Sequence, residues 1–147
     1  MKNPFSKNKK NKDKKKDKDV VIAKRGDWNC TDMPEKHVNF ILNYKFTEDQ
    51  MNRLRRGNIP KEMEDKWFWF MEGNTLYIHR SWTGYCIYIV DFSDSDEHKV
   101  TVNNDPDEYG INDIESEKSF LVDLLIYWSE KKYNYSGLSN IINYLIR

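Results

Sequence analysis

Cysteine is scarce in this chain of 147 residues: Cys30 and Cys86 stand alone, with no C-x-x-C spacing. Two thiols cannot staple a fold, so both are expected to be reduced, with Cys86 in a strand. Only His37, His79 and His98 are histidines, and they are isolated from one another, which argues against a histidine-based metal site. Asp91, Asp94, Asp96 and Glu97 have too little glycine and the wrong spacing for an EF-hand, and read as a solvated loop. No metal and no cofactor is expected. No apolar run approaches the ~18 residues of a membrane span, and the mean hydropathy is −0.90. The basic start reaches no apolar h-region and is lysine-rich rather than arginine-rich, so neither a signal peptide nor a mitochondrial presequence is expected. Cytoplasmic residence and no membrane partner follow as expectations. Walker A, G-x-G-x-x-G, G-x-S-x-G and H-E-x-x-H motifs are all missing.

Net charge is missing too, but only as a sum. Lys+Arg and Asp+Glu each number 24, whereas residues 1–19 carry nine lysines and three aspartates, a local +6 that leaves −6 on the remainder. The segment 1–19 has one large apolar residue, Phe5, and cannot offset the entropy of ordering. It is expected to be a disordered Lys-rich tail, either a solubilising extension or a weak electrostatic arm for nucleic acid or an anionic membrane. Residues 20–147 are enough for a single domain with a core. The acidic charge of that domain opposes nucleic acid, which the tail alone attracts. What the chain has in plenty is aromatic side chains: five Trp, nine Tyr and seven Phe. In so polar a chain, some of them are expected on a binding surface.

The hydrophobic pattern predicts an α+β fold. Residues 37–46 alternate with Val38, Phe40, Leu42 and Tyr44 on one face, an early strand. Thr47 and Gln50 form a capping box, with Phe46 and Met51 as a hydrophobic staple, opening a helix over about 47–57. Gly57 ends it and Pro60 forbids its resumption. An antiparallel meander of about four strands follows over 66–103. Its first strand places Trp67, Trp69 and Met71 against Phe68 and Phe70, apolar on both faces and therefore covered on both. Turns at 72–74 and 81–84 lead into 75–80 and 85–92. Asn104–Ile111 reads as loop. Asn112 and Glu115 open a helix over about 113–131, with Ile114, Leu121, Leu124, Leu125 and Trp128 at helical spacing. A last helix is expected over about 138–146. Helices packed on an antiparallel sheet complete the picture.

The stretch 65–92 is the most informative for function. Arg80, Ser81, Trp82, Thr83 and Gly84 bring a guanidinium, two hydroxyls, a flat ring and a permissive backbone together at a strand end. An arginine fork matches phosphate or carboxylate, and an aromatic face stacks on a base or caps a cation. Lys66, Trp67 and Trp69 begin the neighbouring strand, with Lys66 expected roughly opposite Arg80, where two cations repel unless an anion lies between them. His79 is a candidate hydrogen-bonding or acid–base group, while Asn103 and Asp105 offer contacts to a ribose or an amide, or else cap the following helix. The alternative is a tight turn in which Trp82 folds onto the core and Arg80 pairs with Glu64 or Asp65. Tyr77, Tyr85 and Tyr88 fit ordinary core and rim positions or added hydrogen bonds. Tyr109 and Asn104 fit a ligand contact or a helix cap.

Asp65 to Phe68, Leu76 to Tyr88 and Val100 to Asp105 also resemble the D-K-W-F…L-Y-x-H-R-S-W-T-G-x-C-I-Y…V-x-V-N-x-D core of an uncharacterised bacterial and phage domain family. The likeness covers residues from about 44 to 130. Such domains occur beside or fused to macro domains and other ADP-ribose-handling proteins, which implies a ligand class without a mechanism. Asn104 stands where the family's pattern has a basic residue. The expectation is a small soluble domain that binds a nucleotide-like anion, ADP-ribose or NAD-derived, and senses or sequesters a signalling nucleotide. Its site would comprise Lys66, Trp67, His79, Arg80, Ser81, Trp82, Thr83, Asn103 and Asp105. Two alternatives stay open: an enzyme hydrolysing such a ligand, using Glu64, Asp65, Glu72, Asp105 or His79, or an aromatic-faced module that binds a partner protein.

Overall fold

The computed structural model describes residues 21–130. The expected tail over 1–19 and the expected helix over 138–146 lie outside the described residues. Within them the order is β1 (His37–Asn43), α1 (Glu48–Arg56), β2 (Trp67–Glu72), β3 (Thr75–Arg80), β4 (Cys86–Asp91), β5 (Glu97–Asn103) and α2 (Ile114–Ser129). The strands form one antiparallel sheet in the order β1-β5-β4-β3-β2. The α+β expectation is met. No helix among the described residues is long and apolar enough to cross a membrane.

Local chemistry explains the helix boundaries. The Thr47 hydroxyl accepts the Gln50 N–H at 3.1 Å and the Gln50 side chain accepts the Thr47 N–H at 2.9 Å, a reciprocal capping box. Gly57 closes α1 at φ +68°, a backbone region unfavourable to other residues. Phe46 and Met51 both pack on the main core. Asp113 caps α2 through the Ser116 N–H at 3.0 Å, one residue beyond the expected Asn112.

Both faces of β2 are covered, as its doubly apolar pattern requires. Trp67 and Trp69 join the main core between sheet and helices, where Trp69 stacks on Trp128 of α2 at 4.6 Å. Phe68 and Phe70 form a smaller cluster on the opposite face with Ala23, Cys30, Ile59 and Tyr77. Arg25 roofs that cluster, 4.9 Å above the Phe70 ring and 4.7 Å above Tyr77, and its guanidinium pairs with Glu72 at 2.9 Å.

Two features of the sheet depart from the sequence expectation. The β2–β3 hairpin pairs Glu72 with Thr75, so its loop is Gly73-Asn74 alone. The register therefore sets Trp67, not Lys66, opposite Arg80. A slip of one residue exchanges the faces. In addition, the β3–β4 register shifts at Ile78/His79, leaving Ile87 as an extra residue between the partners Tyr88 and Cys86. Ile87 and Tyr88 both enter the main core, although adjacent residues of a regular strand face opposite ways. This is a β-bulge in β4, next to the strand end that carries Arg80.

Candidate functional site

Beyond the bulge, the end of β3, the turn after it, the start of β2 and the loop after β5 converge on a cleft of about 370 Å³. Its walls are Lys66 from the approach to β2, Arg80 from β3, Ser81, Trp82, Thr83 and Tyr85 from the turn, and Glu108 and Tyr109 from the loop. A strap at Trp28–Thr31 fixes the turn. The Trp28 indole N–H donates to the Ser81 carbonyl at 2.6 Å, the Asn29 amide to the Thr83 carbonyl at 3.2 Å, and the Thr31 N–H to the Gly84 carbonyl at 2.8 Å. Gly84 sits at φ +79°, and a Cβ there would lie 2.8 Å from the Asn29 side chain. Only glycine lets the strap approach this closely.

Both cations of the cleft rest on rings. The Arg80 guanidinium lies 4.6 Å from the Trp67 ring centre and 5.9 Å from that of Tyr109. The Lys66 ammonium lies 4.4 Å from the centre of Trp82. Among the described residues neither makes an ion pair, and the Arg80 guanidinium donates no hydrogen bond. Trp82 stays 63% exposed, with its N–H donated to the Met63 carbonyl at 3.0 Å. The alternative turn geometry, with Trp82 on the core and Arg80 paired to Glu64 or Asp65, is thus not the one adopted. Burial lowers the Arg80 pKa from its ordinary value, while Tyr109, Tyr88 and Glu117 act in the opposite direction. The guanidinium remains charged.

The loop side is held by polar contacts that the sequence expectation missed or placed elsewhere. Glu117 of α2, buried, accepts the hydroxyls of Tyr88 at 3.2 Å and Tyr109 at 3.1 Å. Burial, reinforced by the Glu117 carboxylate, raises the pKa of Tyr109 well above the usual phenol range. Tyr88 rises likewise, chiefly through burial. A visible signal did exist: Glu117 lies three residues after Ile114 and four before Leu121, a carboxylate on an apolar stripe. Asn103 is fully buried, and its amide donates to the Cys86 carbonyl and to Glu108, each at 2.9 Å. Its Oδ1 accepts the Asp105 N–H at 2.9 Å, and the Asp105 carbonyl accepts the N–H groups of Glu108 and Tyr109. Asn103 and Asp105 therefore shape the loop that presents Glu108 and Tyr109, and neither lines the cleft.

Of the expected site residues, the structure brings Lys66, Arg80, Ser81, Trp82 and Thr83 together. Trp67 lies beneath Arg80, 1% exposed, and offers no face to a base. His79 is on the opposite face of the sheet among Phe68 and Phe70, with Nδ1 unpartnered. Burial depresses its pKa to about 4, aided by Arg25 and opposed by the Thr31 backbone and Asp32. Cys86 is buried, with its thiol pushed up to about 12, so it is inert as a nucleophile. Among the described residues, no group of three or more His, Cys, Asp or Glu side chains could hold a metal ion.

The cleft thus presents a guanidinium, an ammonium and a hydroxyl at Thr83, whose Oγ1 accepts the Tyr85 N–H at 3.2 Å and keeps its own proton for donation. These groups can bind an oxyanion. Glu108 is the carboxylate of the cleft, and Asn103 already engages it. The chain matches no protein-family model, no curated protein and no solved structure. The functional reading therefore rests on the residues of the cleft.

Proposed function

We propose that the cleft binds a small, anionic, nucleotide-like ligand, with Arg80 and Lys66 neutralising its phosphate and Thr83 adding a hydrogen bond. One observation carries the reading. Arg80 is half-buried, rests on Trp67, and gives none of its N–H donors to a protein acceptor among the described residues. A guanidinium has five such donors in a planar fork, and taking it out of water is unfavourable unless acceptors are supplied. A phosphate supplies them bidentately. The cleft volume of about 370 Å³ lies at the lower end of the range for small-molecule sites. Among phosphate-bearing ring compounds, ADP-ribose and NAD-derived molecules are those the sequence resemblance implies. In a bacterial or phage setting such binding would sense or sequester a signalling nucleotide. Hydrolysis is the weaker reading, because Glu108 is tied to Asn103 and His79 lies across the sheet.

Thermal melting of the full chain with ADP-ribose, NAD and AMP tests the proposal. A ligand at about a hundred times its Kd stabilises by ~2.7 kcal/mol, a rise on the order of 10 °C for a domain of this size. Lys66→Ala and Arg80→Lys should each shrink that rise. No rise with any of the three compounds refutes the reading, and turnover of a bound compound would replace it with the enzyme.

A further inference from the structure

Trp82 belongs to the lining of two clefts. The second, of about 490 Å³, is lined by Trp28, Lys61, Glu62, Met63, Ser81 and Trp82. Its character is different. Lys61 and Glu62 balance in charge, and the rest of the lining is largely apolar, with Met63 71% and Trp28 37% exposed. Both indoles are anchored through their N–H groups, Trp28 to the Ser81 carbonyl and Trp82 to the Met63 carbonyl. Their carbon surfaces are therefore held in place rather than free to collapse onto the core. Rigid, exposed aromatic surface beside a cationic cleft is the usual form of a binding surface. Ser81 belongs to the lining of both clefts, is 4% exposed, and its hydroxyl has no hydrogen-bond partner.

We infer that the two clefts are halves of one site for a two-part ligand. The phosphate lies between Lys66 and Arg80, and an uncharged flat ring, a nucleobase, lies beyond Trp82 against Trp28 and Met63. Ser81 and Trp82, common to both linings, mark the junction. Charge complementarity assigns the halves: the cations mark the phosphate side, and the balanced apolar side suits a neutral ring. The Lys66 ammonium already covers one face of Trp82, 4.4 Å from its ring centre. Methionine is well suited to this role, since its flexible thioether moulds to an aromatic edge. This inference rests on the proposed anion site and extends it.

Isothermal titration of the full chain with ADP and with inorganic pyrophosphate separates the two ideas. The expected result is ADP binding at least tenfold tighter than pyrophosphate, in keeping with the strength of base–aromatic contacts. Met63→Ala, an exposed position whose backbone carbonyl is retained, should weaken ADP about fivefold and leave pyrophosphate unchanged. Lys66→Ala should weaken both probes alike. Equal affinity for ADP and pyrophosphate overturns the ring half while the anion site stands. A preference for ADP that Met63→Ala does not touch also overturns it, because the ring then binds elsewhere. No binding of either probe overturns the ring half and the anion site together.

Discussion

His79 offers the sharpest test of how the sheet divides structural from functional groups. Its ring is 1% exposed, nearly parallel to Phe70 at 5.6 Å and tilted against Phe68 at 5.9 Å. Burial is the largest cause of its depressed pKa of about 4, against ~6.5 in an unfolded chain. Between those values the unfolded chain binds a proton that the folded one refuses, so stability must rise with pH across this window. The neutral ring's contribution is complete above about pH 6.5 and is lost as the pH falls toward 4. At ~1.36 kcal/mol per pH unit, the loss is about 2 kcal/mol by pH 5 and about 3 kcal/mol by pH 4. Other groups also titrate there, so the measurement is a difference of differences. Urea unfolding of wild type and His79→Phe at pH 7 and pH 5 should show wild type losing about 2 kcal/mol more than the variant, whatever their offset at pH 7. The ring proton signals of His79 in the folded chain should not titrate above about pH 5. Equal losses, or an imidazole midpoint near 6.5 in the folded protein, would refute the reasoning and return His79 to the candidate acid–base groups.

Two further outcomes probe the cleft walls. Arg80→Ala should lower the stability of the unliganded chain by about 1–2 kcal/mol, because it strips a cation and its stem from the face of buried Trp67; an unchanged melt shows that the stack contributes nothing. Glu117→Gln and Tyr109→Phe should each destabilise by roughly 1–3 kcal/mol, and their double-mutant cycle in urea should return a coupling energy above ~0.5 kcal/mol, since the carboxylate accepts the Tyr109 hydroxyl directly; strict additivity contradicts the hydrogen bond.

The fold was legible where one residue type fixes one local geometry. Thr47 and Gln50 cap α1 reciprocally because no other arrangement satisfies both N–H groups so economically. The doubly apolar Trp67–Phe70 run had to be covered on both faces, and Ala23, Ile59 and Tyr77 cover the second. Register was not legible. A loop at Gly73-Asn74 rather than at three residues shifts β2 by one position against β3, and that shift moves Trp67 beneath Arg80. The bulge at Ile87 leaves no mark in a run of aromatic and β-branched residues that fits a regular strand equally well. Asn103 and Asp105 looked like ligand contacts because polar loop residues serve ligands and turns with the same chemistry. Only the partners distinguish the roles, and theirs are Cys86, Glu108 and Asp107.

The missing net charge takes on its meaning at the cleft. Residues 20–147 carry −6, yet Lys66 and Arg80 meet rings instead of carboxylates. Two acids beside the cleft are engaged elsewhere, Glu108 by Asn103 and Glu117 by two tyrosines. A ring face holds a cation in place without using its hydrogen-bond donors, whereas a carboxylate would consume them. The arrangement therefore orients two cations and keeps both available, which an ion pair cannot do. A small phosphate, the anion proposed for the cleft, need only reach these two cations, whose field acts within the ~8 Å screening length of physiological salt. The proposed nucleotide-sized anion meets that condition.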